Sequence, residues 1–193
     1  MRKYKVAVIV GSNRRDSINR KLAEALVRLG GDRLSFTIVP IDDLPLYNQD
    51  LEADLPASVR RFKAEIAAAD GVLFVTPEHN RSIPAVLKNA IDWGSRPYGQ
   101  NSWFGKPVAI TGTSPGAISS ALAQQHLRSI LANSLSAQVK GGEAYIAFKP
   151  GLVDDAGAIA DDSTRAFLNA FLDQFATLVR RLSVDAELSE AAA

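Results

Sequence analysis

The chain has 193 residues, 47% of them apolar, and carries 22 Lys and Arg against 21 Asp and Glu. This length suits one α/β domain that buries roughly 70% of its unfolded surface, without room for a second of ordinary size. A net charge of +1 excludes a field that steers nucleic acid or an anionic membrane, the lack of cysteine excludes disulfides and thiolate chemistry, and two distant histidines, His79 and His126, argue against a metal centre. The expected partners are therefore small molecules or copies of the chain itself, and the cysteine-free composition fits a reducing cytoplasm.

The first apolar run, residues 6–10, is β-branched and continuous, as in a strand buried on both faces of a parallel sheet. It is too short for a signal-peptide core or a membrane span. After a polar turn over 11–17, Leu22, Ala25, Leu26 and Leu29 recur at helical spacing until Gly30-Gly31. The alternation continues with strand over 35–39, helix over 58–69, strand over 71–76 and helix over 83–93. A fourth strand is predicted over 107–111, followed by a helix that presents Ala123, Leu127, Ile130 and Leu131. The fifth strand is predicted over 144–148, and the last helix shows a stripe of Phe167, Phe171, Phe175, Leu178 and Leu182. Residues 1–182 thus form one domain, and the tail over 183–193 is expected to fray.

Five strands alternating with helices imply a flavodoxin-like three-layer sandwich around a five-stranded parallel sheet. Ligands bind such sheets at the carboxyl ends of the strands, where strand order reverses, so the loops after strands one, three and four should converge. Two further connections, 40–56 and 95–106, are long enough to be lids or subunit contacts. Trp93, Tyr98, Trp103 and Phe104 cluster around the second of these and suggest packing or, preferably, a dimer surface.

The first loop carries Gly11, Ser12, Arg14, Ser17, Ile18 and Asn19. Free amides at a helix start favour an anion; the Ser hydroxyls, the Asn19 amide and the Arg14 guanidinium add donors, and Gly11 allows close approach. Ser17 and Asn19 could equally be mere helix caps beside solvated arginines. Neither G-x-x-x-x-G-K-[ST] nor G-x-G-x-x-G is present, so nucleoside triphosphate and dinucleotide cradles fit poorly. The second loop, with Pro77, Glu78, His79, Asn80, Ser82 and Pro84, is held by two prolines. Backbone groups from Glu78 to Asn80 can then offer a fixed hydrogen-bond fringe to a flat heterocycle such as a flavin. His79 is either a ring contact or a surface imidazole. The third loop contains Ser114, Pro115 and Gly116, whose small residues leave space for a ring edge and place amides near the pyrimidine end. His126, in the helix that follows, is assigned a structural or interfacial place.

These motifs resemble the NADPH-dependent FMN reductase family, which includes bacterial quinone, chromate and azo reductases. Gly11, Ser12, Arg14, Ser17 and Asn19 match its G-S-x-R-x-x-S-x-N, and TPEHNRSIPAVLKNAIDW over 76–93 matches T-P-E-Y-N-x-S-x-P-x-x-L-K-N-A-I-D-W. Ser114, Gly116 and the run QQHLRSIL are also similar to quinone-reducing members. The resemblance implies bound FMN, NADPH or NADH as donor, and a homodimer or homotetramer with flavin sites near the interface. Two positions depart from it: His79 replaces a tyrosine, and Leu122 stands where relatives often carry arginine. The implied activity is ping-pong. Nicotinamide gives hydride to flavin N5, and a quinone, flavin, azo compound or chromate then takes two electrons, with no catalytic side chain and no metal. The rival readings are a flavodoxin-type electron carrier, disfavoured by the near-neutral charge, and a flavin-free regulatory scaffold.

Overall fold

The structure, a computed structural model, describes residues 3–191, with side chains as far as 184. Six parallel strands make the sheet: β1 (Tyr4–Val10), β2 (Leu34–Ile38), β3 (Gly71–Val75), β4 (Pro107–Ser114), β5 (Gln138–Val139) and β6 (Tyr145–Ala147). The order is β2-β1-β3-β4-β5, with β6 also paired to β4. Five helices join them: α1 (Ile18–Gly30), α2 (Ala57–Ala67), α3 (Ala85–Ser95), α4 (Ala121–Ser129) and α5 (Asp162–Ala191). The flavodoxin-like sandwich expected from the alternation is the observed fold.

The pleat explains why β1 and β3 are apolar throughout. Val6, Val8, Val10, Leu73, Val75 and Ala109 pack under α1 and α5. Their neighbours Ala7, Ile9, Val72, Phe74, Val108 and Ile110 face α2, α3 and α4 on the other side. On that second side Trp103 is fully buried, with its ring centroid 5.7 Å from Phe74 and 6.1 Å from Phe62. Its indole N–H donates to the Ile91 carbonyl at 3.0 Å. Trp93 is equally buried and donates to the Pro45 carbonyl at 2.7 Å. The aromatic cluster around 95–106 therefore divides: both tryptophans are core, while Tyr98 and Phe104 are 94% and 74% exposed.

The long connection over 40–56 is strapped down along α3. The Asn89 side chain accepts from the Tyr47 amide at 2.8 Å and donates to the Pro45 carbonyl at 2.9 Å. A segment pinned by its own backbone groups satisfies peptide polarity that burial would otherwise leave unpaired, and it is no lid.

Three predicted elements differ in detail. The fifth strand position is filled twice: β5 pairs with Pro107 and Val108 at the start of β4, and β6 pairs with Gly112 to Ser114 at its end. Two- and three-residue strands are too short to show a period; β5 leaves no trace in the pattern, and β6 lies within the strand predicted over 144–148. In α5 the buried stripe is Leu168, Phe171, Leu172, Phe175 and Val179, while Phe167 is 46% exposed. The aromatic spacing of four drifts off the 3.6-residue period and leaves Phe167 outside the core. The helix also continues past Leu182 to Ala191, where fraying was expected, because Ala, Glu and Leu there are strong helix formers. Ala192 and Ala193 of that tail lie outside the described residues.

β3 and β4 draw together where they end. The Thr76 amide donates to the Thr111 carbonyl at 3.0 Å, and a Cβ on Gly112 would stand 1.9 Å from the Thr76 carbonyl oxygen and 2.6 Å from Ser120 Oγ. Only glycine fits between two backbones that close. Gly112→Ala is expected to cost about 3 kcal/mol, the upper end of overpacking penalties, seen as a lower urea midpoint with an unchanged slope.

Candidate functional site

The carboxyl ends of β1, β3 and β4 converge as topology requires. The Gly11 amide donates to the Val75 carbonyl at 2.9 Å, which joins the first loop to β3. Beyond Gly11 the chain turns outward: Asn13, Arg14, Arg15 and Asp16 are exposed, and Ser17 is buried as the N-cap of α1. Its hydroxyl accepts from the Arg20 amide at 3.2 Å. Among the described residues the amides of Ser12, Asn13, Arg15 and Ile18 donate to no protein acceptor, and the Arg14 amide reaches only Ser12 Oγ, at 3.4 Å. With the Arg14 guanidinium and the positive end of α1, this is a donor-rich, anion-accepting turn.

Asn19 has a different place from the one its sequence position suggests. It is buried, its Nδ2 donates to the Thr113 carbonyl at 2.9 Å, and its Oδ1 accepts from the Thr113 amide at 2.9 Å. The side-chain amide is thus engaged at both ends and is not a donor to an anion. It ties α1 to β4.

The second loop is a tight hairpin. His79 and Ser82 exchange two backbone hydrogen bonds, of 3.0 and 2.9 Å, around Asn80 and Arg81, which have φ values of 49° and 64°. Two successive left-handed residues suit a type I′ turn, although neither is glycine. The His79 backbone is consequently occupied within the hairpin, and among the described residues the amides of Glu78, Asn80 and Arg81 donate to no protein acceptor. The His79 side chain is exposed.

Three side-chain contacts hold this hairpin. Glu78 Oε2 accepts from the Leu122 and Ala123 amides at 3.0 and 3.2 Å, so the carboxylate caps α4. Glu78 Oε1 pairs with Arg81 at 3.2 Å, and the Glu78 side chain is only 9% exposed. The Ser82 hydroxyl lies 2.7 Å from His126 Nδ1, one turn further along α4. Helix α4 therefore braces the second loop at two points. No pattern in the chain pairs Glu78 with amides 44 and 45 residues away; the bare start of α4, with no capping side chain at Ser120, is the one trace of a missing acceptor.

The third loop starts later than predicted, because pairing with β6 extends β4 to Ser114. The Phe148 amide donates to the Ser114 carbonyl at 3.0 Å. The Gly116 amide is taken up by Ser114 Oγ at 3.2 Å, while Pro115, Gly116 and Ala117 are exposed. Ser119, with φ of 53°, is anchored by its hydroxyl to the Ile146 carbonyl at 2.5 Å. Ile118 and Leu122 are 47% and 41% exposed, and the Leu122 amide is one of the two that Glu78 accepts from. The ensemble offers two donor patches, one at the first loop and one on the second. It suits a ligand with an anionic end and a flat, hydrogen-bonding head.

Among the described residues no helix is long and apolar enough to cross a membrane. Comparison with known proteins agrees with the geometry. Residues 4–151 match the model of the NADPH-dependent FMN reductase family. The chain is 51% identical over 176 residues to a 2-hydroxy-1,4-benzoquinone reductase of a Burkholderia species, covering 91% of this chain and 96% of that one. It is 52% identical over 178 residues to a quinone reductase of Pseudomonas putida, covering 92% and 95%. The solved structure of the flavoenzyme NAD(P)H:(acceptor) oxidoreductase FerB of Paracoccus denitrificans superposes with a TM-score of 0.89 at 47% identity, over 92% of this chain and 98% of that chain. The chain belongs to the NADPH-dependent FMN reductase family.

Proposed function

We propose that the chain is an FMN-dependent NAD(P)H oxidoreductase that reduces quinones, with free flavins, azo compounds and chromate as further acceptors. The observation that carries this reading is the pair of unsatisfied donor patches at one end of the sheet. The amides of Ser12, Asn13, Arg15 and Ile18, with Arg14, match a phosphate monoester, and the amides of Glu78 and Asn80 match the polar edge of a flavin. Similarity to proteins named quinone reductases at about half identity supports the choice of acceptor.

FMN, when bound, supplies the two-electron relay from nicotinamide to acceptor. The protein binds and orients. Loop one holds the phosphate, and the hairpin over 79–82 fixes the open amides on either side of His79. A ping-pong order, in which donor and acceptor would visit the bound FMN in turn, needs no acid or base side chain from the protein. We place the enzyme in the cytoplasm as a homodimer or homotetramer, with Leu46, Tyr98 and Phe104, all more than 70% exposed, as candidate contact residues that light scattering can examine.

Purified protein is expected to be yellow, to bleach with anaerobic NADPH, and to oxidise NAD(P)H steadily with menadione and no protein partner. A carrier would fail the last test, and a colourless protein that takes up no FMN would be a scaffold. Arg14→Ala should weaken FMN binding by about 2 kcal/mol, at the low end for removing one partner of a charge pair because this side chain is exposed; fluorescence titration that finds wild-type affinity would rule out the phosphate placement. Glu78→Ala should cost about 1–2 kcal/mol of stability through loss of the α4 cap and weaken FMN binding with it. Glu78→Gln, which keeps an acceptor oxygen, should recover most of both in paired urea and flavin titrations.

A further inference from the structure

A second cavity, of about 600 Å³, opens beside the third loop, between the end of β6 and the start of α5. Its wall is continuous with the proposed flavin site, since Phe148 and Ser119 hydrogen-bond across to Ser114 and from the third loop to Ile146. Tyr145 and Phe167 line it, together with Lys149, Asp161, Ser163 and Thr164. Phe167 is the aromatic that α5 turns away from the core.

Asp161 is held in one orientation. Its Oδ1 accepts from the Ser163 hydroxyl at 2.6 Å and from the Thr164 amide at 2.7 Å. The Thr164 hydroxyl is a further hydrogen-bond partner of the same carboxylate. The Ser163 hydroxyl, then the Thr164 amide and the Thr164 hydroxyl, lower its carboxyl to about 2, with a smaller contribution from the Lys149 ammonium. It is ionised at neutral pH and accepts hydrogen bonds only.

We propose that this cavity takes the adenosine half of the nicotinamide dinucleotide donor, with the base against Phe167 and Tyr145 and the ribose diol on the remaining lone pairs of the Asp161 carboxylate, so that NADH is favoured over NADPH. The proposal rests on the oxidoreductase reading above and assigns the donor's remote half, which the flavin loops do not address. Four observations support it. The volume lies in the range of small-molecule sites. Exposed aromatic faces stack flat bases without regard to their edges. A fixed carboxylate reads a 2′-hydroxyl and repels a 2′-phosphate. Lys149, on the rim, offers a cation to the diphosphate.

The test uses the FMN-loaded enzyme with three donors: NADH, NADPH and reduced nicotinamide mononucleotide, which keeps the reacting ring but lacks adenosine. Wild type should show higher kcat/KM with NADH than with NADPH. Phe167→Ala should lower the ratio of kcat/KM for NADH to that for the mononucleotide by about tenfold, the loss of one stacked base. Asp161→Asn preserves the helix cap, because asparagine caps as well as aspartate, yet should erase most of the NADH preference. A ratio equal to wild type in Phe167→Ala, or an undiminished NADH preference in Asp161→Asn, would overturn the proposal. Wild-type enzyme inert with all three donors would instead overturn the oxidoreductase reading, and this assignment with it.

Discussion

The site depends on one buried contact, the side-chain amide of Asn19 set against the peptide of Thr113. β3 stops pairing with β4 at Val75 and Thr111, and the Thr76 amide makes the last bond across. Two residues later the Thr113 N–H and C=O point the same way with no strand left to meet them. Asn19 supplies both partners at 2.9 Å, because a primary amide is a peptide group on a side chain. Without it, two buried backbone groups would be unpaired, each a loss of about 1–3 kcal/mol. The contact also fixes the start of α1 against the end of β4, and so the first loop against the third. Its geometry explains why the loops around this end can leave amides open: the framework does not need those amides to hold itself together.

The same logic governs the second loop. Its shape is imposed from outside by Glu78 on the first amides of α4, Arg81 on Glu78, and Ser82 on His126. Left-handed conformations at Asn80 and Arg81 are costly for non-glycine residues and persist only where neighbours over-determine them. Asparagine adopts this region readily, and arginine much less so, which makes the Glu78–Arg81 pair more than a surface ion pair. A turn held in this way presents its open amides in fixed directions before any ligand arrives. Preorganised donors lose little on binding, and they are therefore effective toward charge that develops on a bound ring.

Much of the architecture was legible because burial on both faces of a parallel sheet writes continuous apolar runs, and residues 6–10 and 71–75 have them. The positions of the three loops followed from topology alone. What the pattern could not carry was anything set by contacts distant in sequence. Asn19 looks like a phosphate donor in a polar turn, yet its partner lies 94 residues away. Glu78 reads as a solvated carboxylate, yet it caps a helix that starts 43 positions later. Phe167 continues an aromatic spacing of four and still falls outside the core, since four-residue steps drift around a helix of period 3.6. The extension of β4 to Ser114 depends on β6, whose three residues have no period of their own.

The departure at residue 79 can now be argued through the backbone. In the hairpin His79 donates to and accepts from Ser82, so its peptide groups serve the turn whichever side chain it bears. An exposed imidazole in place of a tyrosine therefore leaves the flanking amides of Glu78 and Asn80 where they were. The change acts on what lies above the turn. A smaller ring at the mouth widens the approach and removes an apolar face. Leu122 itself stands in place of a cation, and its amide donates to Glu78. Both departures are changes of side chain that leave the peptide groups of the hairpin as they are, so in the proposed site they would act on what a visiting molecule meets rather than on how the loop is built.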